Sequence, residues 1–164
     1  MNKKQSGLVF LHKPTGITSF QALHTLKKKL GHGKVGHTGT LDKFAEGLLI
    51  VLAGKNTKLV PYFEGLDKTY VATIKFGATT ETLDTESPEI GPTVIPDFTR
   101  IKSELSRFEG SQEQIPPQYS AVHVNGTRAY QRKLQGQDVE LPSRSVTVYS
   151  IKILNWSSPL LQTE

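Results

Sequence analysis

Strand-like and helix-like stretches follow one another along these 164 residues without a fixed period, and that irregularity constrains the fold most. A regular strand–helix–strand repeat would demand a parallel sheet covered by crossover helices. Its absence leaves an α+β domain, a mixed and largely antiparallel sheet with flanking helices. Residues 7–13 form an apolar run of strand length, ended by the turn Lys13-Pro14-Thr15-Gly16. Thr18 or Ser19 caps the helix that follows, where Phe20, Leu23, Leu26 and Leu30 recur at helical spacing up to Gly31. Residues 48–53 read as a second buried strand, and residues 56–64 as a short helix turning Leu59, Val60 and Phe63 inward. The clearest strand pattern is residues 68–76, with Tyr70, Ala72, Ile74 and Phe76 on one side and Val71, Thr73 and Lys75 on the other.

Farther on, residues 77–97 are acidic and rich in Thr, Pro and Gly, the composition of a surface loop. Ile101, Leu105 and Phe108 predict a helix over residues 98–108 with Gly110 as its terminator. Pro116 and Pro117 keep their surroundings extended. Residues 119–124 predict a strand, Asn125-Gly126 a turn, residues 128–134 a short helix and residues 145–156 an alternating strand. Nothing repeats, and the length suits a single domain spanning 1–164 with a sizeable core.

The stretch Gly36-His37-Thr38-Gly39-Thr40-Leu41-Asp42 concentrates chemistry. Gly36 and Gly39 offer backbone freedom, Thr38 and Thr40 hydroxyls, and His37 a flat titratable ring. Asp42 closes the run with a carboxylate presented at the mouth of a turn. An isolated Gly/Thr/Asp turn is most often only a turn. Charge adds a second clue. Residues 1–60 carry ten lysines against Asp42 and Glu46, a net of +8, whereas residues 61–99 carry two lysines against seven acids. A basic N-terminal third is the footprint of a phosphate-backbone binder, or else a solvated lysine-rich face. With no cysteine, disulfides and thiolate metal sites are excluded, and the five histidines show no ligand spacing, so no metal is expected. Glu81, Asp84, Glu86 and Glu89 read as a solvated acidic loop. Residues 31–36 match the spacing of a dinucleotide fingerprint, but a predicted helix precedes them where that motif needs a strand. No apolar run reaches the length of a signal core or a membrane span, and the expectation is a cytoplasmic, monomeric protein off the membrane.

The stretch from Gly36 through Asp42 to Gly47-Leu48-Leu49 resembles the signature of the TruB-type tRNA pseudouridine synthases. Lys13-Pro14-Thr15-Gly16-Ile17-Thr18-Ser19 supports it upstream and Lys68-Thr69-Tyr70 downstream. Ile115-Pro116-Pro117-Gln118-Tyr119-Ser120-Ala121 and Gly126-Thr127-Arg128-Ala129-Tyr130 follow in order. These blocks cover nearly the whole chain.

The resemblance implies an isomerase that turns a uridine of the tRNA T loop into pseudouridine, with no metal and no cofactor. Asp42 would be the nucleophile, acting on a base flipped out of its stack. His37 would occupy or brace the vacated space, and Tyr70 would pack on the flipped uracil. Lys13 and Pro14 would shape the pocket floor, and Asp84 would pair with an active-site arginine. The expected partner is the tRNA T arm; the alternative is a noncatalytic tRNA-binding fragment of such an enzyme. Two departures stand out. Lys43 and Phe44 follow Asp42 where the family has Pro-Leu, which adds a charge and frees the backbone there. The chain also ends before the family's Lys-Gly-x-Tyr-x-Arg segment and its small C-terminal RNA-binding extension, so it resembles an N-terminal portion of the catalytic domain.

Overall fold

The computed structural model describes residues 6–31, 33–117, 123–124, 127–128 and 141–164. The chain divides into two compact units, Met1–Lys68 and Thr69–Glu164. The first unit is built from β1 (Gly7–Lys13), α1 (Ser19–Leu30), β2 (Val35–His37) and β3 (Gly47–Ala53). A 3₁₀ turn, Gly54–Leu59, leads into α2 (Val60–Glu64). β3 is the middle strand of an antiparallel sheet of order β1–β3–β2, with Gly7 opposite Ala53, Lys13 opposite Gly47 and His37 opposite Val51.

Alternation along the strands decides what this sheet buries. Val9 and Leu11 of β1 and Leu49 and Val51 of β3 meet Ala22, Leu23 and Leu26 of α1, with Ile17 and Val35 at the margin. Leu23, Leu49 and Val51 are fully buried, and each such side chain contributes roughly 1.5–3 kcal/mol. Phe10 and Leu48 point the other way and are exposed. The helix starts where Thr18 accepts from the Gln21 N–H and Gln21 Oε1 accepts from the Thr18 N–H, a reciprocal cap. It stops at Gly31, whose φ of +65° is the left-handed conformation glycine adopts without strain. Residues 56–64 depart from expectation: the helix proper begins only at Val60, and Leu59 is exposed while Val60 and Phe63 are half-buried. Pro61 suits a first helical turn, which favours a start there over a longer helix.

The second unit contains β4 (Ala72–Lys75), β5 (Thr79–Thr80), β6 (Glu89–Ile90), α3 (Phe98–Leu105) and β7 (Gly110–Gln114). It continues with β8 (His123–Val124), β9 (Thr127–Arg128), β10 (Arg144–Val148), β11 (Ile153–Ser157) and β12 (Leu160–Thr163). Every ladder between described residues is antiparallel, in keeping with the α+β expectation. β12 lies between β11 and β4, and Leu161 faces Trp156 on one side and Ile74 on the other. Trp156 stacks on Phe98 of α3 with ring centroids 5.7 Å apart and meets Phe76 edge-on at 5.9 Å.

Several expectations need correction here. The strand over residues 68–76 shrinks to β4, an edge strand whose four residues are all exposed. The acidic loop contains the β5–β6 ladder, with Thr79 opposite Ile90. Residues 145–156 are two strands, because β10 pairs with β7 and β11 with β12. Residues 98–108 are helical only to Leu105, with a 3₁₀ turn at Ser106–Phe108. Arg128 lies in β9, while the rest of the helix expected over 128–134, the strand residues 119–122 and the Asn125-Gly126 turn lie outside the described residues.

Candidate active site

Asp42 sits in the loop between β2 and β3, and neighbouring backbone holds that loop at several points. Its entry is set by the Thr38 N–H, which donates to the Ile50 carbonyl at 3.1 Å and extends the β2–β3 pairing by one residue. Thr38 is correspondingly buried. Midway, the Ser19 hydroxyl accepts from the Leu41 N–H at 3.0 Å and donates to the Leu41 carbonyl at 3.1 Å. After the aspartate, the Gly16 N–H donates to the Lys43 carbonyl at 2.8 Å, and the Ala45 N–H donates to the Asp42 carbonyl at 3.2 Å. Gly16 reaches this position with φ +81°, a conformation that resists a side chain. The backbone at Lys43 is therefore held, not freed, although the residue departs from Pro.

Lys13 secures the same loop from beneath. Its side chain is fully buried, and Nζ donates to the carbonyls of Pro14 at 3.1 Å, Ile17 at 2.9 Å and Ala45 at 2.6 Å. Three donors meet three acceptors, so the ammonium is saturated by backbone. It props the loop and presents no free donor to a ligand. Pro14, beside it, is exposed.

The Asp42 side chain is exposed and, among the described residues, forms no ion pair. Five residues upstream, His37 closes β2 half-buried, and its Nδ1 atom is buried without a hydrogen-bond partner among the described residues. Burial lowers the His37 pKa from its ordinary 6.5, with the Gly39 backbone and the Glu64 carboxylate opposing that shift. The ring is thus biased toward its neutral form, with a nitrogen that lacks a partner. Gly36 and Gly39 do not serve as expected, since neither has a positive φ; Gly36 is an ordinary β2 residue. The glycine that needs its freedom is Gly47, with φ +131° at the start of β3.

Tyr70 and Asp84 belong to the second unit. Tyr70 is exposed just before β4. Asp84 Oδ1 accepts from Thr82 Oγ1 at 2.6 Å and from the Glu86 N–H at 2.8 Å, so one carboxylate oxygen shapes its own loop. Among the described residues no cluster of His, Asp and Glu could hold a metal ion. Ser19 is the contributor that the sequence did not reveal. At a helix start a serine reads as a cap, and only the structure shows Thr18 capping and Ser19 turned to the loop.

This arrangement has relatives. A tRNA pseudouridine synthase B of Borreliella burgdorferi is 45% identical over 160 residues, covering 96% of this chain and 57% of that protein. The synthase B of Treponema pallidum subsp. pallidum is 44% identical over 148 residues, covering 90% of this chain and 40% of its own length. The chain thus spans about half the length of the curated relatives it matches. Among solved structures, a chain of a Cbf5–Nop10–Gar1 complex superposes with a TM-score of 0.63 at 27% identity, over 96% of this chain and 38% of that one. Residues 27–164 match the family described as TruB family pseudouridylate synthase (N terminal domain), and the pseudouridine-synthase fold agrees with it. The chain belongs to the TruB family of pseudouridylate synthases.

Proposed function

We propose that this chain carries the nucleophile of a tRNA pseudouridine synthase acting on a uridine of the T loop. Asp42 attacks the substrate to form a covalent adduct and is released when the base rejoins the ribose through carbon. The base leaves its stack before the carboxylate reaches it. The neutral ring of His37 fills the space the base vacates, and Tyr70 packs on the flipped uracil. The enzyme works in the cytoplasm as a monomer, on tRNA. The observation that carries the proposal is an exposed carboxylate on a loop whose backbone is tied down on both sides of it. Such anchoring suits a nucleophile that must meet one carbon atom in one direction. The names of the curated relatives support the choice of tRNA.

The test is a conversion assay. The protein, expressed from its complete reading frame and freed of host enzyme, is incubated with a T-arm stem-loop and with a scrambled hairpin. Released nucleosides are then separated. Pseudouridine at one T-loop position of the first RNA and none in the second is the expected result. Equal binding of both hairpins with no pseudouridine in either overturns the catalytic reading and leaves a tRNA-binding or unrelated role.

A further inference from the structure

We infer that Ser19 is a positioning residue for Asp42: its hydroxyl locks both peptide planes of Leu41 and so aims the carboxylate that follows. The inference rests on the reading of Asp42 as the nucleophile. Ser19 is 2% exposed at the first position of α1, and its side chain makes no cap, because Thr18 caps the helix. Its Oγ instead reaches 22 residues along the chain to Leu41. A hydroxyl has one donor hydrogen and two acceptor lone pairs. Here the donor goes to the Leu41 carbonyl and an acceptor site to the Leu41 N–H.

Those two groups lie in different peptide planes. The N–H belongs to the plane joining Thr40 to Leu41, and the carbonyl to the plane joining Leu41 to Asp42. With both held, φ and ψ of Leu41 are fixed, and with them the position of the Asp42 backbone nitrogen. The Asp42 carbonyl is held in turn by the Ala45 N–H. What remains free is the torsion of the Asp42 side chain. No other side chain among the described residues bonds to the backbone of residues 40–43. Lys13 ties the loop later, at Ala45. Without the Ser19 hydroxyl, Leu41 would keep neither bond and the carboxylate would wander over a wider arc.

The experiment compares Ser19→Ala, Ser19→Thr and Thr18→Ala in the protein expressed from its complete reading frame. Steady-state kinetics on the T-arm stem-loop and residue-resolved amide hydrogen exchange are both measured. Ser19→Ala is expected to lower kcat between about tenfold and about a hundredfold, the scale of a small misplacement of a reacting group, with KM held within about threefold. Leu41 and Asp42 amides should exchange faster while β1 and β3 amides do not change. Ser19→Thr keeps the hydroxyl and should recover most of kcat. Thr18→Ala removes the cap of the same helix and should leave kcat alone. Should Ser19→Ala fail to fold, Ser19→Cys, close in size but a weak donor and acceptor, takes its place with the same readouts.

An unchanged kcat or unchanged Leu41 exchange in Ser19→Ala overturns the inference, and so does an equal loss of kcat in Thr18→Ala. If the unmodified protein makes no pseudouridine while Ser19→Ala still loosens Leu41 and Asp42, the clamp stands and the catalytic reading of Asp42 fails.

Discussion

Asp42, the nucleophile of the proposed function, allows binding to be tested apart from chemistry. Asp42→Asn keeps the side-chain shape and removes the charge and the nucleophilicity. Pseudouridine formation should vanish while affinity for a T-arm hairpin shifts by less than about 1 kcal/mol, since phosphate contacts dominate such binding. Turnover by the variant, with deamidation back to Asp excluded by mass spectrometry, would remove Asp42 from its role. His37 makes a different prediction. Its pKa is lowered from 6.5, chiefly by burial, so below that pH the unfolded chain takes up a proton that the folded chain resists. The stability this group supplies is full above pH 6.5 and is lost as pH falls through the lower folded value. Thermal unfolding followed across that window should show stability declining on acidification. His37→Gln should flatten the decline, and an identical slope in both proteins would assign it to other groups.

Among the elements, the β1–α1 junction determines where the Asp42 loop goes. Lys13, Gly16 and Ser19 lie within seven residues, and each bonds to the loop between β2 and β3. Lys13 is fully buried and makes three bonds to backbone carbonyls. Lys13→Met keeps the length of the stem but leaves the carbonyls of Pro14, Ile17 and Ala45 without their donor. Each buried acceptor left without its donor costs about 1–3 kcal/mol, offset in part because the buried ammonium, itself costly to desolvate, is removed as well. A loss of about 2–4 kcal/mol in urea unfolding is the expected outcome. A change below about 0.5 kcal/mol, the range of ordinary surface substitutions, would show that these bonds contribute little. The α3 helix is held by a different device, the stacking of Phe98 on Trp156.

At the scale of the whole molecule, charge is segregated along the chain. Residues 1–60 carry a net +8 and residues 61–99 a net −5. The lysines of the last turn of α1 illustrate how that charge is displayed. Lys28 and Lys29 are exposed, whereas Lys27 is half-buried with Nζ 5.4 Å from the centre of the Phe20 ring. Replacing Lys27, Lys28 and Lys29 with alanine should flatten the dependence of log K on log salt for a T-arm hairpin. Each lost phosphate contact reduces the slope by about 0.7–0.9, the lower figure for single strands. A slope equal to that of the unmodified protein would place the RNA on another surface.

Local signals by themselves determined β1, α1 and β3 of the first unit, though not β2 or the late start of α2. The apolar run at β1, the capped amphipathic α1 and the run at β3 each declare their type through spacing and caps that act within a few residues. The Asp42 stretch was visible as a Gly/Thr/Asp turn, and only its resemblance to the family signature singled out the carboxylate. Partner choice decided the rest. β7 is polar, Gly110–Gln114, and becomes a strand only because β10 lies against it. β12 is central to its sheet although its apolar content is only Leu160 and Leu161. The direction of the Ser19 hydroxyl and the Ala45 carbonyl that accepts from Lys13 depend on chain 22 and 32 residues away, beyond the reach of any local pattern. A sequence window records what a residue prefers, and only the folded chain supplies the donor or acceptor that it finds.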